Sequence, residues 1–172
     1  MSESELKIPK ETVRVKLRVR GGVEWDGDLF LDACSPFHGG PQSLVEFLNQ
    51  AAPFFPIRMG SGEVRLVSKR EVVLVSLPPE SAERFGGMYP AAPSAPAFFE
   101  LADGLALEGE IDLGDAAVGV PRASDALNWP KPFLSVRSGR ALWAVSKEAI
   151  RWTVPSDAVK FGLGPAKEMA HV

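Results

Sequence analysis

The segment 31–42 carries the side chains best suited to chemistry, Asp32, Cys34 and His38. A cysteine near a histidine could form a thiolate–imidazole pair, and the three side chains together could contribute to a metal site. A zinc site, however, needs three or four protein ligands, and a cysteine nucleophile needs a base that a third group orients. The second histidine, His171, lies near the other end of the chain.

We therefore interpret segment 31–42 as a surface loop. The sequence predicts no catalytic residue, no metal site and no cofactor. A second interpretation is that the loop contacts a partner, in which case Phe37 and His38 are the candidate binding residues. No glycine pattern in the chain matches a phosphate-binding loop, because the required helix and lysine do not follow.

A second candidate site is a ridge of basic side chains in the stretch 13–20. Apolar and basic residues alternate there with period 2, which is typical of a half-buried strand. The basic members of this alternation are Arg14, Lys16, Arg18 and Arg20. They could form an anion-binding face, or they could form ion pairs with a neighbouring strand.

The next strand favours ion pairing. A three-residue loop, Arg20-Gly-Gly22, predicts a hairpin in which residues of like character face each other, with Leu17 opposite Trp25. The same register places Arg14 opposite Asp28, Lys16 opposite Asp26 and Arg18 opposite Glu24. Such cross-strand pairs each stabilise a sheet by a few tenths of a kcal/mol. We prefer this structural interpretation of the basic ridge and expect Trp25 to lie in the core.

Three blocks of sequence occur twice in the same order, about 80 residues apart. Gly22-Val-Glu-Trp-Asp-Gly27 matches Gly104-Leu-Ala-Leu-Glu-Gly109, and Pro53-Phe-Phe-Pro-Ile-Arg58 matches Pro132-Phe-Leu-Ser-Val-Arg137. Val67-Ser-Lys69 matches Val145-Ser-Lys147. The chain is therefore predicted to be a tandem duplication of one small unit, whose copies pack with rough two-fold symmetry.

Each unit is predicted to have the order β-β-α-β-β-β. The short helix begins at Ser43, which has capping-box spacing to Glu46, and ends at Asn49 in a left-handed conformation. Pro56 places the third strand at an edge or a bulge. The predicted class is thus mainly β, with two tandem small barrels that each carry one short helix.

The strand-Gly-strand opening and the five-strand plan resemble the small barrels of the SH3-like and Sm-like class. This resemblance implies shape alone, because Sm-like proteins carry their helix before the first strand and their RNA-contacting motifs have no match here. The predicted domains are a first repeat at 10–78, a Pro-rich extended linker at 79–97, a second repeat at 98–155 and an irregular tail at 156–172.

Composition excludes several classes of protein. The 172 residues carry a formal net charge of −3, whereas a protein that neutralises phosphates is usually basic. Cys34 is the one cysteine, which favours a reducing compartment, and no apolar run approaches the ~20 residues of a membrane helix. We expect a cytoplasmic protein.

The predicted function is a non-enzymatic adaptor or scaffold that binds protein partners, with homo-oligomerisation also open. Exposed strand edges could take up a partner segment by strand addition. Phe30, Phe37, Phe98 and Trp129 are candidate aromatic anchors. The alternative is nucleic-acid binding by an Sm-like protein through the basic ridge.

Overall fold

The computed structural model of the chain describes residues 9–87, 92–114 and 122–155. Its strands are β1 (Lys10–Val19), β2 (Glu24–Asp32), β3 (Phe54–Met59), β4 (Val64–Ser68), β5 (Val72–Leu77), β6 (Ser94–Leu101), β7 (Ala106–Asp112), β8 (Phe133–Ser138), β9 (Ala141–Ser146) and β10 (Ile150–Pro155). Its α-helices are α1 (Leu44–Leu48), α2 (Pro79–Phe85) and α3 (Ala123–Asn128), and short 3₁₀ helices at Lys69–Glu71 and Lys147–Ala149 precede β5 and β10.

The strands form one open antiparallel sheet of ten strands, in the order β10-β6-β7-β8-β9-β5-β1-β2-β3-β4. The fold is mainly β, as predicted. Each repeat contributes five consecutive strands with its last strand beside its first, and each has the predicted order β-β-α-β-β-β. The pairing of the first with the last strand is irregular in both repeats. The register shifts between Arg18 and Val19 where β1 pairs with β5, and between Ile150 and Trp152 where β10 pairs with β6.

The two repeats are joined by pairing of β5 with β9, where Leu74 lies opposite Val145 and Leu77 opposite Leu142. Unlike strands meet, the fifth of one repeat and the fourth of the other, so the expected two-fold relation is wrong and the repeats are arranged head to tail. Two cores flank this junction. The first includes Leu142 and Ala144 of the second repeat, and the second includes Val73 and Leu74 of the first.

The matched glycines of the repeat allow neighbouring strands to approach closely. A Cβ added to Gly27 would lie 2.7 Å from the Ile57 side chain, and one added to Gly109 would lie 2.4 Å from the Arg137 carbonyl oxygen. Both glycines lie where the second strand of a repeat pairs with the third. Gly27 is opposite Met59, and Gly109 is two residues before Ile111, which is opposite Val136. The lack of space for a side chain therefore explains why a glycine recurs at this position of the repeat.

The matched lysines hold the short helices. Lys69 Nζ donates to the Gln50 carbonyl oxygen at 2.5 Å, just beyond α1, and Lys147 Nζ donates to the carbonyls of Leu127, at 3.2 Å, and Trp129 at the end of α3. A cation that meets free carbonyls at a helix C-terminus stabilises the helix. Burial lowers the pKa of both lysines.

Helix α1 begins as predicted. The Ser43 hydroxyl accepts from the Glu46 N–H, and the Glu46 carboxylate accepts from the Ser43 N–H at 2.6 Å. The predicted left-handed Asn49 is wrong, since its φ is −83°. Its amide instead contacts the second repeat, where Nδ2 donates to the Phe133 carbonyl at 3.2 Å and Oδ1 accepts from the Phe133 N–H at 2.9 Å.

The stretch 79–97 is not an extended linker throughout. Pro79 starts helix α2, a position at which its missing N–H costs nothing, and β6 already begins at Ser94. The predicted tail 156–172 lies outside the described residues, as does His171. In the described part of the chain, no helix is long and apolar enough to cross a membrane.

Candidate partner-binding site

The predicted hairpin register is present residue for residue. Arg14 pairs with Asp28, Lys16 with Asp26, Leu17 with Trp25 and Arg18 with Glu24. The three-residue loop is closed by the Val19 N–H donating to Val23, and its two glycines have φ values of 86° and 79°. Trp25 is only half-buried at the margin of the first core, and the Arg65 guanidinium stacks over its ring at 5.3 Å.

The basic ridge is largely charge-compensated. Arg14 Nε lies 2.6 Å from Asp28 and Arg18 lies 3.0 Å from Glu24. Arg20 donates to the Arg70 carbonyl at 2.8 Å and lies 3.9 Å from Glu148 of the second repeat. These contacts support the structural interpretation of the ridge, because a phosphate would have to displace carboxylates that are already in place.

Arg18 also joins the two repeats. Its Nε donates to Asp103 Oδ2 at 2.6 Å, at the tip of the second hairpin, and both side chains are largely buried. The hydrogen bond with Asp103 raises the pKa of Arg18 despite the opposing effect of burial. Burial would raise the pKa of Asp103, but hydrogen bonds from Arg18 and from the Leu105 N–H outweigh it and lower that pKa. The pair therefore stays ionised.

The loop 31–42 is organised around Glu46. The Ser35 hydroxyl donates to Glu46 Oε1 at 2.8 Å, and His38 Nε2 lies 3.0 Å from Oε2. Burial alone would raise the pKa of Glu46, but the hydrogen bonds from Ser43, Ser35 and His38 hold it below its usual value. The carboxylate fixes the loop to α1, and Nε2 of the His38 imidazole faces Glu46.

Cys34 is exposed, and Asp32 contacts Lys10 and Gln42. Within the described ranges, no group of three metal-ligating side chains comes together. The structure thus does not gather the three reactive side chains of the loop into one site.

A groove of about 550 Å³ lies between the repeats. Its lining includes Phe37 and His38 of the loop and Glu46 of α1 from the first repeat, and Trp129 and Lys131, which follow α3, from the second. Phe37 is 82% exposed and Trp129 is 38% exposed. Two candidate anchors that are far apart in sequence therefore face one groove.

The other two candidate anchors are half-buried, and each ring is stacked against a neighbouring side chain. The Arg58 guanidinium stacks over Phe30 at 5.1 Å, and Phe98 stacks on Trp152 with a centroid distance of 5.6 Å. The basic ridge does not line the groove. The predicted binding residues thus divide between two places, with Phe37 and His38 at the groove and Arg14, Lys16, Arg18 and Arg20 on β1 and its turn.

Sequence reasoning missed Ser135, which is one of the residues that line the groove. This side chain is 7% exposed, and among the described residues its hydroxyl has no hydrogen-bond partner. A buried polar atom without a partner costs free energy, so a ligand that bonds to it gains that energy on binding. Ser135 matches Pro56 of the first repeat. This difference between the two repeats is the feature of the sequence that could have indicated Ser135.

A second exposed feature is the outer face of the β3–β4 hairpin. Phe54 is 54% exposed, Val64 is 56% exposed and Leu66 is 72% exposed. Leu66 lies opposite Pro56 on β4, which is the edge strand of the sheet. We call this surface the β3–β4 face.

Comparisons of the chain with protein-family models, with curated proteins and with solved structures gave no match. The resemblance to SH3-like and Sm-like barrels therefore stays a prediction.

Proposed function

We propose that the protein is a non-enzymatic adaptor that binds an extended apolar segment of a partner protein in the groove between its repeats. The observation that carries this proposal is that Phe37 of the first repeat and Trp129 of the second line one groove. Binding pockets are typically lined by apolar and aromatic side chains, and tryptophan is enriched among the residues that dominate the binding energy of protein interfaces.

The polar groups of the groove are suited to a peptide. Ser135 offers a buried hydroxyl that lacks a partner among the described residues. A peptide backbone carries the donor and the acceptor that such groups bind. Anchors from both repeats also make binding depend on their relative position, so the groove exists only in the joined molecule.

The test uses a displayed library of random peptides panned against the full chain. We expect enrichment of peptides with apolar or aromatic residues, and loss of binding in Phe37→Ala and Trp129→Ala. Val23→Ala is the matched control, because Val23 is 51% exposed but lies at the hairpin turn, outside the groove. Enriched peptides that bind the two groove variants as well as the parent chain would refute the proposal.

The alternative function, nucleic-acid binding through the basic ridge, makes a different prediction about salt. Release of counterions from phosphates makes such binding fall steeply with salt concentration, whereas an apolar contact responds little. A titration of a labelled single-stranded oligonucleotide and of a selected peptide over the same range of salt separates the two. Tight, salt-sensitive oligonucleotide binding that Arg14→Ala and Lys16→Ala abolish would favour the alternative.

A further inference from the structure

The β3–β4 face is covered in one repeat and exposed in the other. Its residues Phe54, Val64 and Leu66 match Phe133, Leu142 and Ala144 of the second repeat by position. The latter are 2%, 1% and 0% exposed and belong to the first core. The same surface of the repeat is therefore buried once and open once.

Three elements of the first repeat do the covering. Strand β5 pairs with β9, helices α1 and α2 pack against β8 and β9, and Asn49 bonds to the Phe133 backbone. Each covering element has a match at the other end of the molecule. Strand β10 matches β5, α3 matches α1, and Asn128 matches Asn49.

The sequence extends this match beyond β10. Pro79-Glu-Ser-Ala-Glu-Arg-Phe-Gly86, which contains α2, is matched by Pro155-Ser-Asp-Ala-Val-Lys-Phe-Gly162. The chain thus carries a second set of covering sequences, and its own β3–β4 face lies at the opposite end of the sheet.

The two outer edges of the sheet, β4 and β10, which no further described strand pairs with, also match in their backbone groups. Leu66 lies opposite Pro56, which has no N–H, so the N–H and C=O of Leu66 face away from β3 and towards the open edge. On β6, the N–H of Leu101 donates to the Leu105 carbonyl oxygen, on the side of β7. Backbone N–H groups alternate in direction along a strand, so the N–H of Phe99 also points towards β7. Thr153, which lies opposite Phe99, therefore directs its N–H to the open side of β10.

We propose that the β3–β4 face binds a second copy of this chain, with β10 of one molecule pairing antiparallel with β4 of the next. The register follows from the internal junction, where Val75 lies opposite Ala144, so Thr153 lies opposite Leu66 of the neighbouring copy. Because the two surfaces differ, the contact is head to tail, and it generates a ring or a filament. This inference is independent of the groove.

This contact is weaker than the internal junction. Pro155, on the same side of β10 as Thr153, has no N–H to donate. The Arg18–Asp103 ion pair has no counterpart either, since the matching positions are Glu100 and Gly21. We therefore expect association that depends on protein concentration and is reversible.

The first test is sedimentation equilibrium of the full chain over a range of concentrations. The parent chain should associate, and Leu66→Arg and Thr153→Pro should each remain monomeric, because one blocks the β3–β4 face and the other removes the open N–H of β10. Val23→Arg is the matched control for an exposed apolar residue and should associate like the parent. A parent chain that is monomeric at every concentration would overturn the proposal.

A mixture of the two blocked variants distinguishes a head-to-tail contact from a symmetric one. Each blocked variant keeps one intact surface, so Leu66→Arg mixed with Thr153→Pro should give a one-to-one complex that grows no further. If Thr153→Pro alone still associated, the contact would be a symmetric one between two β4 edges, and the proposal would be wrong.

Cysteine cross-linking tests the register. In a Cys34→Ser background, a chain with Leu66→Cys and a chain with Thr153→Cys should form an intermolecular disulfide on mild oxidation, since directly opposed residues have the required Cα separation. Leu66→Cys with Arg151→Cys is the off-register control and should not cross-link. Equal cross-linking of the two pairs would contradict the proposed pairing.

Discussion

At the scale of single residues, the contacts that join the repeats are polar as well as apolar. Arg18 and Asp103 form a largely buried ion pair between the two hairpins, and Asn49 binds the backbone of Phe133. The contacts of Asn49 with Phe133 and of Arg18 with Asp103 could not be predicted from the sequence, because Phe133 and Asp103 lie in the other repeat. The hairpin register was predictable, because Gly21 and Gly22 fix the loop and the charges of β1 and β2 complement each other in only one alignment.

Asp103→Asn should lower the free energy of unfolding at pH 7 by about 1–2 kcal/mol, between the values for exposed and buried pairs. The pKa of Asp103 is lowered in the folded state, so the contribution of its carboxylate is present above the usual aspartate pKa and is lost as pH falls through the folded value. Denaturation followed from pH 7 to strongly acidic conditions should therefore show the difference between parent and variant shrinking.

Glu63→Gln is the control for this ion pair. It breaks the contact with Arg65, which lies 3.1 Å away between exposed side chains, and should leave the thermal midpoint at pH 7 unchanged. If the two variants lost stability equally, general charge effects rather than the Arg18–Asp103 contact would be responsible.

The matched glycines give a second residue-scale prediction. Gly109→Ala should lower the free energy of unfolding by about 2–3 kcal/mol, because its new methyl group would overlap the Arg137 carbonyl oxygen. Gly60→Ala is the control, since a Cβ there meets no atom within 4 Å and the residue is not in the left-handed region. Urea denaturation of both variants measures the difference, and an unaffected Gly109→Ala would show that β7 and β8 can separate without cost.

At the scale of elements, strands that match in sequence position differ in their surroundings. Strand β5 is apolar at successive positions because it is buried on both faces, whereas β10 interrupts the same stretch with Arg151. This contrast was the sequence signal for the junction. The two repeats, considered singly, predict the order of elements but not which strand of one meets which strand of the other.

The helix α2 was missed for a related reason. The many prolines of the stretch 79–97 predict an extended segment, but Pro79 stands at the start of a helix, where proline is tolerated. Phe85 of this helix is buried in the first core. Tertiary packing, which a local pattern does not contain, stabilises so short a helix.

Val73→Ala should lower the free energy of unfolding by about 1–3 kcal/mol, because Val73 is 1% exposed within the second core. Its positional match, Arg151→Ala, should change stability by about 0.5 kcal/mol or less in the monomer, since Arg151 is exposed. Chemical denaturation of the two variants at low protein concentration gives the comparison. Equal losses would mean that β5 is not buried as the junction requires.

At the scale of the whole molecule, the two cores are interlocked. Leu142 lies on a strand of the second repeat but packs in the first core, while Val73 and Leu74 do the reverse. Neither repeat can unfold without exposing part of the core of the other. The duplication is therefore evident in the sequence but does not correspond to two independent folding units.

Calorimetry of the full chain should show a single two-state transition, with equal calorimetric and van't Hoff enthalpies. Leu142→Ala should shift this one transition to lower temperature by destabilising both repeats together. Hydrogen exchange, followed separately for β2 and β7, should then report the same loss of protection. Two resolved transitions would show that the repeats unfold separately.

The β5–β9 junction has a consequence for how the polypeptide can be divided. Since the ladder, the shared cores and the Arg18–Asp103 pair all form between the repeats, the covalent connection through 88–91 is only one of several links between them. Two fragments, 1–89 and 90–172, made as separate polypeptides, should find each other and restore the complete ten-stranded sheet. Each alone would present an uncovered apolar strand and aggregate, so that one gene could be split into two whose products depend on each other.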